Sequence, residues 1–371
     1  MKILCDRHQL TEVMGVAAGI TPLKTPKPIA KNALLVGEDD SLTVFATDFE
    51  MSVRLRMESV KITEPGSVLL PARESHALLR ELNEPTVTLE SEESRCLLQG
   101  GRGSFVLVGD DPAQFPQQIQ LQEGVSIEVP GPRFVQMFRQ TGFAAAKEDS
   151  RYAINGVLLE CRDGSLRLVA TDGRRLALAY QQLEGDCPEV RMIVPLRALQ
   201  ALCRAIQEDA TEPLKIVFSD NQAGFVVAGG DGRQDTLLVT QLLDRRFPDY
   251  EGVIPRVAET TIEMSRDLLE ASLRRVAVLS AGDVRLVRFQ FSSSSLEMSA
   301  ENSGVGRGDV SMDVDVKGAG GSIGFNPDFV LEALKVAEQE TIRLDMTDEE
   351  TPAKFSLGEA FTYVLMPISA A

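Results

Sequence analysis

Short stretches in which apolar and polar residues alternate recur along the chain and predict many β-strands. In one of them Leu166, Leu168 and Ala170 occupy every second position, which is the period of a half-buried strand. A Thr-Asp-Gly turn at residues 171–173 then leads into a second apolar run. The stretch therefore predicts a hairpin-like unit.

The same unit occurs three times. Asp48 and Asp172 end two strands that both begin with Ser-Leu and lie 124 residues apart, and Asn302 follows 130 residues later. Pro71 and Pro195, which each follow an apolar strand, share the offset of 124. Several features in one register indicate an internal repeat, and a third of the chain is large enough for its own core. We predict three similar domains: 1–120, 121–255 and 256–371.

Apolar stripes with helical spacing predict two helices in each domain. The sheets between them are expected to be antiparallel, because the strands are separated by short Gly, Asp and Ser turns. The predicted fold class is α+β. The first helices carry the stripes Leu10/Val13/Met14, Phe134/Met137/Phe138 and Leu269/Ser272/Leu273, and the second helices begin at Pro71, at Pro195 and near Asn326.

The net charge of −17, from 38 basic and 55 acidic residues, argues against nucleic acid unless the basic residues share one surface. Arg73 and Arg80 are two helical turns apart, opposite the leucines, and Arg197 and Arg204 repeat that spacing. This placement predicts a basic surface on an otherwise acidic protein. For each arginine alone, the alternative is an ordinary solvated helix face.

Catalytic and metal-binding signatures are not evident. The five cysteines lack a C-x-x-C pair, and His8 and His76, the two histidines, stand apart from any serine or cysteine motif. These features disfavour a disulfide framework, a metal site and a catalytic triad. Asp172 is better explained as a turn residue that binds backbone amides than as an acid catalyst. Without an apolar run of about 20 residues or a signal peptide, we expect a cytoplasmic protein.

Five segments of the chain form a distinctive set: RYAING at 151–156, VATDGRRLA at 169–177, RFPDY at 246–250, FN at 325–326 and YVLMPI at 363–368. Together they resemble the bacterial sliding-clamp family, the β subunits of the DNA polymerase III holoenzyme. The resemblance implies three clamp domains per chain and a head-to-tail homodimer whose six domains form a closed ring on double-stranded DNA. It also implies a non-catalytic processivity factor without cofactors, which works at the nucleoid.

The resemblance implies three sets of site residues. The DNA contacts, which include the arginines inferred from helical spacing, are Lys24, Arg73, Arg80, Tyr152, Arg197 and Arg204. The partner-peptide cleft is Ile154, Thr171, Gly173, Arg174, Arg175, Leu176, Pro248, Val253, Asn326, Phe329, Met366, Pro367 and Ile368. The subunit interface is Phe105 and Leu107 against Val278 and Leu279. The implied partners at the cleft are short peptides of the replicative polymerase, the clamp loader, translesion polymerases, mismatch-repair proteins and ligase.

Two other classes of function remain open at this point. One is an adaptor that uses the peptide cleft without encircling DNA, and the other is an enzyme with a site at Asp172. At the cleft itself, the alternative for Met366 and Pro367 is the plain end of a C-terminal strand.

Overall fold

The computed structural model describes residues 1–58, 60–148, 155–185, 187–206, 210–229, 235–280 and 285–368. Within these ranges there are six α-helices, two in each predicted third of the chain. They are α1 (Arg7–Ile20), α2 (Ala72–Glu81), α3 (Gly131–Thr141), α4 (Leu196–Ala205), α5 (Arg266–Ala277) and α6 (Pro327–Lys335).

The strands are short, and burial alternates along some of them, such as Val287–Phe291 and Ala353–Gly358, as predicted. Those of the first third are β1 (Lys2–Asp6), β2 (Asn32–Glu38), β3 (Ser41–Thr47), β4 (Met51–Met57), β5 (Lys61–Glu64), β6 (Gly66–Pro71), β7 (Thr86–Glu92), β8 (Arg95–Gly100) and β9 (Gly103–Val108). Those of the second third are β10 (Val125–Pro130), β11 (Gly156–Arg162), β12 (Ser165–Thr171), β13 (Arg175–Gln182), β14 (Val190–Pro195), β15 (Pro213–Phe218), β16 (Gln222–Val227) and β17 (Asp235–Gln241). Those of the last third are β18 (Thr260–Ser265), β19 (Val287–Phe291), β20 (Ser295–Asn302), β21 (Gly306–Asp313), β22 (Asp315–Lys317), β23 (Gly321–Phe325), β24 (Thr341–Met346), β25 (Ala353–Gly358) and β26 (Phe361–Leu365).

Polar side chains at the helix starts explain where several helices begin. The side chains of Asp6, Ser265 and Asn326 accept hydrogen bonds from the first-turn amides of α1, α5 and α6, which satisfies donors that the helix cannot. Pro71 and Pro195 precede α2 and α4 instead of opening them, so both helices begin one residue later than predicted. The reason is that each proline still ends a strand, with an extended backbone.

The threefold repeat of the sequence is visible in three hairpins, β3–β4, β12–β13 and β20–β21, each antiparallel across the predicted turn. The contacts between residues, however, group the described chain into two compact units. Unit 1 comprises 1–135 and 183–244, and unit 2 comprises 136–182 and 245–371. The units cut across the thirds, so the three domain boundaries stay a prediction.

Unit 1 contains two antiparallel sheets. One runs β5-β1-β7-β8-β9, and the other runs β10-β15-β16-β17-β4-β3-β2-β6. In the second sheet, strand β17 of the central third pairs with β4 of the first third, with Leu238 opposite Val53. Helix α1 packs against α2 and α4. This helix layer carries the predicted arginines.

Unit 2 repeats the arrangement. Its strands run β11-β12-β13-β26-β25-β24-β18-β22 in one sheet and β21-β20-β19-β23 in the other. Strand β13 of the central third pairs with β26 of the last third, with Arg175 opposite Leu365. The core contains a chain of buried aromatic rings, since Phe325 and Phe355 lie 5.7 Å apart and Tyr363 follows at 6.2 Å.

A buried carboxylate joins three strands of this sheet. Asp345 on β24 is 2% exposed and accepts hydrogen bonds from Arg343 (2.7 Å) and Thr261 (2.9 Å), while Lys354 lies 3.0 Å away. Burial acts to raise the pKa of Asp345, but the bonds from Arg343, Lys354 and Thr261 outweigh it and hold the pKa below its ordinary value. The ionised form is therefore the one that stabilises the fold.

We expect Asp345→Asn to lower the free energy of local opening by about 2 kcal/mol at pH 7, because hydrogen bonds to a charged group are lost. In the wild type this stabilisation is full above the ordinary carboxyl pKa near 4 and is lost as pH falls through the lower folded pKa. Hydrogen exchange of the β24 amides measures it. The exposed Asp315→Asn is the control, and equal protection in both variants would contradict the expectation.

Candidate functional site

A basic groove lies on the helices of unit 1. This arginine groove is a cavity of about 630 Å³ between α1, α2 and α4. All four arginines predicted from the helical spacing, Arg73, Arg80, Arg197 and Arg204, line it. Lys24 is exposed in the loop that follows α1 and does not belong to the lining. Tyr152 lies outside the described residues.

Two of the arginines bind the C-terminal end of α1. Arg73 Nη2 donates to the carbonyl of Thr21 at 2.8 Å, and Arg197 Nη2 donates to the carbonyl of Ile20 at 2.6 Å. The last carbonyls of a helix have no intrahelical partner and carry partial negative charge, so cations stabilise them. Arg197 also pairs with the buried carboxylate of Asp48 at 3.0 Å. These contacts fix the direction of both guanidinium groups.

The other two arginines surround His76. Among the residues that the structure describes, neither Arg80 nor Arg204 forms an ion pair. Burial is the main reason that the pKa of His76 is lowered, and the nearby positive charges of Arg80 and Arg204 lower it further. The imidazole is therefore neutral at pH 7 in the free protein. His76 stands three residues after Arg73 and four before Arg80, so helical spacing alone already assigns it to the arginine face.

The turn at residues 171–175 builds one wall of a second site, in unit 2. Asp172 Oδ1 accepts from the amides of Arg174 (3.0 Å) and Arg175 (3.1 Å), and Gly173 adopts a φ of 84° that favours glycine. The interpretation of Asp172 as a turn residue is confirmed, because its carboxylate is occupied by these bonds. Asp48 makes the matching bonds in the first repeat.

Arg175 is a nearly enclosed charge of this site, at 9% exposure. Its Nε donates to Asp172 at 3.0 Å, its Nη2 donates to the carbonyl of Phe143 at 2.9 Å, and its Nη1 contacts Glu332. The guanidinium carbon also lies 4.2 Å from the ring centre of Phe329, within the range of a cation–π contact. The arginine thus joins the turn to α6 and to the Gly142–Ala144 3₁₀ turn.

Beside this arginine lies a mainly apolar cleft of about 190 Å³. Eight of the thirteen residues predicted for the peptide site lie in its lining. The lining is Thr171, Gly173, Arg174, Arg175, Leu176, Pro248, Asp249, Tyr250, Val253, Val364 and Met366. Exposed Val253 and Met366 at the mouth make an apolar surface that a partner can bury.

The remaining predicted cleft residues have other positions. Asn326 caps α6, and Phe329 contacts Arg175 from the side of α6. Pro367 follows Met366 outside the lining, and Ile368 lines a separate cavity with Arg288 and Glu349. Ile154 lies outside the described residues. The assignment of the thirteen residues to peptide binding stays a prediction.

A buried polar cluster that no sequence pattern predicted lies behind Tyr250 in the lining of the cleft. The Tyr250 hydroxyl donates to Glu160, a buried carboxylate on β11, and Arg167 contacts Tyr250 (3.5 Å) and Glu251 (3.2 Å). Burial, followed by the hydrogen bond to Glu160, raises the pKa of Tyr250 to about 12. The phenol therefore remains a donor at all physiological pH values. Tyr250 and Glu160 are 90 positions apart in the chain, so no local sequence pattern predicts that they form a cluster.

The predicted interface residues lie at exposed edges. Phe105 and Leu107 are on β9, the last strand of its sheet, and Val106 and Val108 beside them are exposed. Val278 caps the C-terminal end of α5 and is 75% exposed, while Leu279 packs against Gly308 of the edge strand β21. The unpaired backbone groups of an exposed apolar edge strand such as β9 can pair with a strand of another chain.

Two other classes of site find no support in the described part of the chain. No group of three or more His, Cys, Asp or Glu side chains there is placed to hold a metal ion. No described helix is long and apolar enough to cross a membrane.

Comparison with known proteins gives matches along the whole chain. Models of the N-terminal, central and C-terminal domains of the DNA polymerase III beta subunit match residues 1–120, 128–249 and 251–369. The beta sliding clamp of Escherichia coli K12 is 31% identical over 99% of this chain and 100% of its own length. That of Chlamydia trachomatis serovar D is also 31% identical, over 99% of this chain and 87% of its own.

Solved structures agree. The DNA polymerase III beta subunit of Thermotoga maritima superimposes with a TM-score of 0.91 at 25% identity over all of both chains. The sliding clamp of Pseudomonas aeruginosa bound to griselimycin gives 0.87 at 28% identity, again over all of both chains. The three predicted clamp repeats and the predicted family are thereby confirmed: the chain belongs to the DNA polymerase III beta subunit family, the non-catalytic sliding clamps.

Proposed function

We propose that this chain closes, as a head-to-tail homodimer, into a ring around double-stranded DNA and holds the replicative polymerase on its template. The observation that carries the proposal is the arginine groove, which gathers positive charge in a protein with a net charge of −17. Guanidinium groups bind backbone phosphates without reading the bases. The acidic residues elsewhere in the protein repel DNA and so favour its contact with the arginine groove.

Processivity follows from the closed ring. A polymerase bound to a ring that cannot leave its DNA stays at a high effective concentration near the primer end. Sequence-independent contacts allow the ring to slide, since no base is preferred. We place this work in the cytoplasm, at the nucleoid, and assign no step of chemistry to the chain itself.

The partners dock, in this proposal, at the apolar cleft of unit 2. Its lining of Pro248, Val253, Leu176 and Met366 provides adaptable apolar contacts, and methionine in particular suits a surface that accepts several related peptides. We assign to it short peptides of the replicative polymerase, the clamp loader, translesion polymerases, mismatch-repair proteins and ligase. The binding of griselimycin by the Pseudomonas relative supports a ligand-accepting surface on this fold.

Retention on DNA tests the ring directly. After loading by the clamp loader, we expect the protein to stay on closed circular DNA through gel filtration and to leave when one restriction cut linearises the circle. The reason is that a topological link, not tight binding, holds the ring. Equal retention on circular and linear DNA of the same sequence would contradict the proposal.

A further inference from the structure

His76 lies inside the arginine groove, next to α1. Its Nε2 is 3.0 Å from the point where a Cβ on Gly15 would stand, and Arg204 Nη1 is 2.8 Å from the matching point on Gly19. Gly15 and Gly19 are one helical turn apart on the same face of α1. The imidazole and the guanidinium therefore lie over two adjacent turns of α1 at positions that carry no side chain.

The contacts of the four arginines divide them into two pairs. Arg73 and Arg197 are held by the carbonyls at the end of α1, and Arg197 also by Asp48. Arg80 and Arg204 line the same groove, and neither forms an ion pair among the described residues, since the one carboxylate of the lining, Glu12, lies 3.6 Å from His8. The positive charge that remains available to an anion is thus concentrated around His76.

We infer that His76, Arg80 and Arg204 together bind one backbone phosphate of the duplex, and that the imidazole takes up a proton when the phosphate arrives. This inference rests on the proposed function. The proton comes from solvent and adds to a ring nitrogen, while the phosphodiester keeps its single negative charge and no covalent bond changes. The imidazolium then donates a charge-assisted hydrogen bond to a phosphate oxygen.

The charges around His76 determine how its protonation and DNA binding affect each other. The charged groups that line the groove with His76 are Glu12 from α1, Arg73 and Arg80 from α2, and Arg197 and Arg204 from α4. In the free protein, burial and then Arg80 and Arg204 lower the pKa of His76. A bound phosphate offsets those positive charges and raises that pKa again. The complex therefore binds more protons than the free protein, so DNA affinity rises as pH falls.

The test uses the full-length protein and a rhodamine-labelled 30-base-pair duplex at low, constant ionic strength, where electrostatic binding is strongest. Between pH 7.5 and pH 6.0 we expect the wild-type affinity, measured by anisotropy, to rise by about 5-fold, below the limit of tenfold per pH unit for one proton. His76→Gln should remove this rise. His8→Gln is the matched control, because His8 is the only other histidine and is exposed.

A second measurement does not depend on a variant. Since the chain has two histidines, the imidazole Cε1 signal of His76 in selectively labelled protein can be assigned by comparison with His8→Gln, and its NMR titration gives the pKa of His76. We expect this pKa to lie below its ordinary value in the free protein and to rise when the duplex is added.

The outcomes separate this inference from the proposed function. A pH dependence that persists in His76→Gln, or a His76 titration that the duplex leaves unchanged, would overturn the inference even if the ring still stays on circular DNA. Equal retention of the wild type on circular and linear DNA would instead overturn the proposed function. If the wild type binds the duplex with an affinity that does not change between pH 7.5 and pH 6.0, the role of His76 is likewise contradicted.

Discussion

Replacing Arg175 by alanine should lower the affinity of a clamp-binding peptide by at least about 100-fold. The guanidinium connects the turn at Asp172, the carbonyl of Phe143 and Glu332 on α6, and breaking a buried ion pair costs about 3–5 kcal/mol. Without it, the wall of the cleft at residues 171–175 loses its link to α6. Fluorescence polarisation with a labelled peptide from the cognate polymerase measures the loss.

The neighbouring Arg174 provides the matched control, since it lines the cleft but is exposed. We expect Arg174→Ala to weaken the same peptide by less than about tenfold, which is 1.4 kcal/mol. Arg175→Lys should resemble Arg175→Ala, because an ammonium group lacks the planar fork that reaches several acceptors at once. Hydrogen exchange of β26, the partner of β13, shows whether the sheet remains folded. Normal peptide affinity of a folded Arg175→Ala variant would show that the arginine does not position the cleft.

The secondary structure could be predicted from the sequence because its signals are local. The 3.6-residue stripes predicted both helices of each third, and the alternating run at Leu166, Leu168 and Ala170 is strand β12. The turn chemistry of Asp172 was equally local, since Asp172 binds amides two and three residues away. Each of these features depends on residues within about ten positions of one another.

The compact units could not be predicted, because they depend on which strands meet. Strand β4 pairs with β17, where Leu238 lies opposite Val53, 185 residues earlier, and β13 pairs with β26, where Leu365 lies opposite Arg175, 190 residues earlier. These pairings continue one repeat's sheet into the next. Alternation fixes which face of a strand is buried but does not select its neighbour, so a repeat read from sequence leaves the sheet order open.

For the four arginines of the groove, too, local spacing does not predict which distant residues they contact. Helical spacing placed Arg73, Arg80, Arg197 and Arg204 on one surface, and all four line the groove. Spacing did not reveal that Arg197 binds Ile20, 177 residues away, or that Arg73 binds Thr21. These contacts distinguish the arginines that are held by α1 from those that remain available. That distinction requires tertiary structure.

The turn aspartate that recurs in the first two repeats orients an arginine in each of them, at two different sites. Asp48 and Asp172 bind the same pair of turn amides with one oxygen, but their second oxygens have different partners. Asp48 binds Arg197 of the arginine groove, and Asp172 binds Arg175 of the cleft. The same aspartate turn thus orients Arg197 at the proposed DNA surface and Arg175 at the proposed peptide surface.

Introducing a charge at either proposed interface edge should separate the dimer. In the proposal, Phe105 on β9 contacts Val278 at the end of α5 in the other subunit, and both side chains are exposed in the single chain. Because the ring contains this contact twice, one substitution affects both seams. Burying an aspartate there without a partner costs several kcal/mol, so we expect Phe105→Asp and Val278→Asp each to weaken dimerisation by at least about 100-fold.

Light scattering over a dilution series measures the result, with the mass falling from about twice 40.4 kDa to 40.4 kDa. Val257→Asp is the control, because Val257 is 77% exposed against 75% for Val278, lies in the loop before β18 and is not one of the predicted interface residues. The two interface variants should also leave circular DNA as quickly as linear DNA, since an open ring has no topological link. If Val278→Asp stays a dimer at every concentration at which Val257→Asp does, the seam lies elsewhere on the molecule. The exposed edge of β9 would then need a different cover, because an uncovered apolar edge strand promotes aggregation.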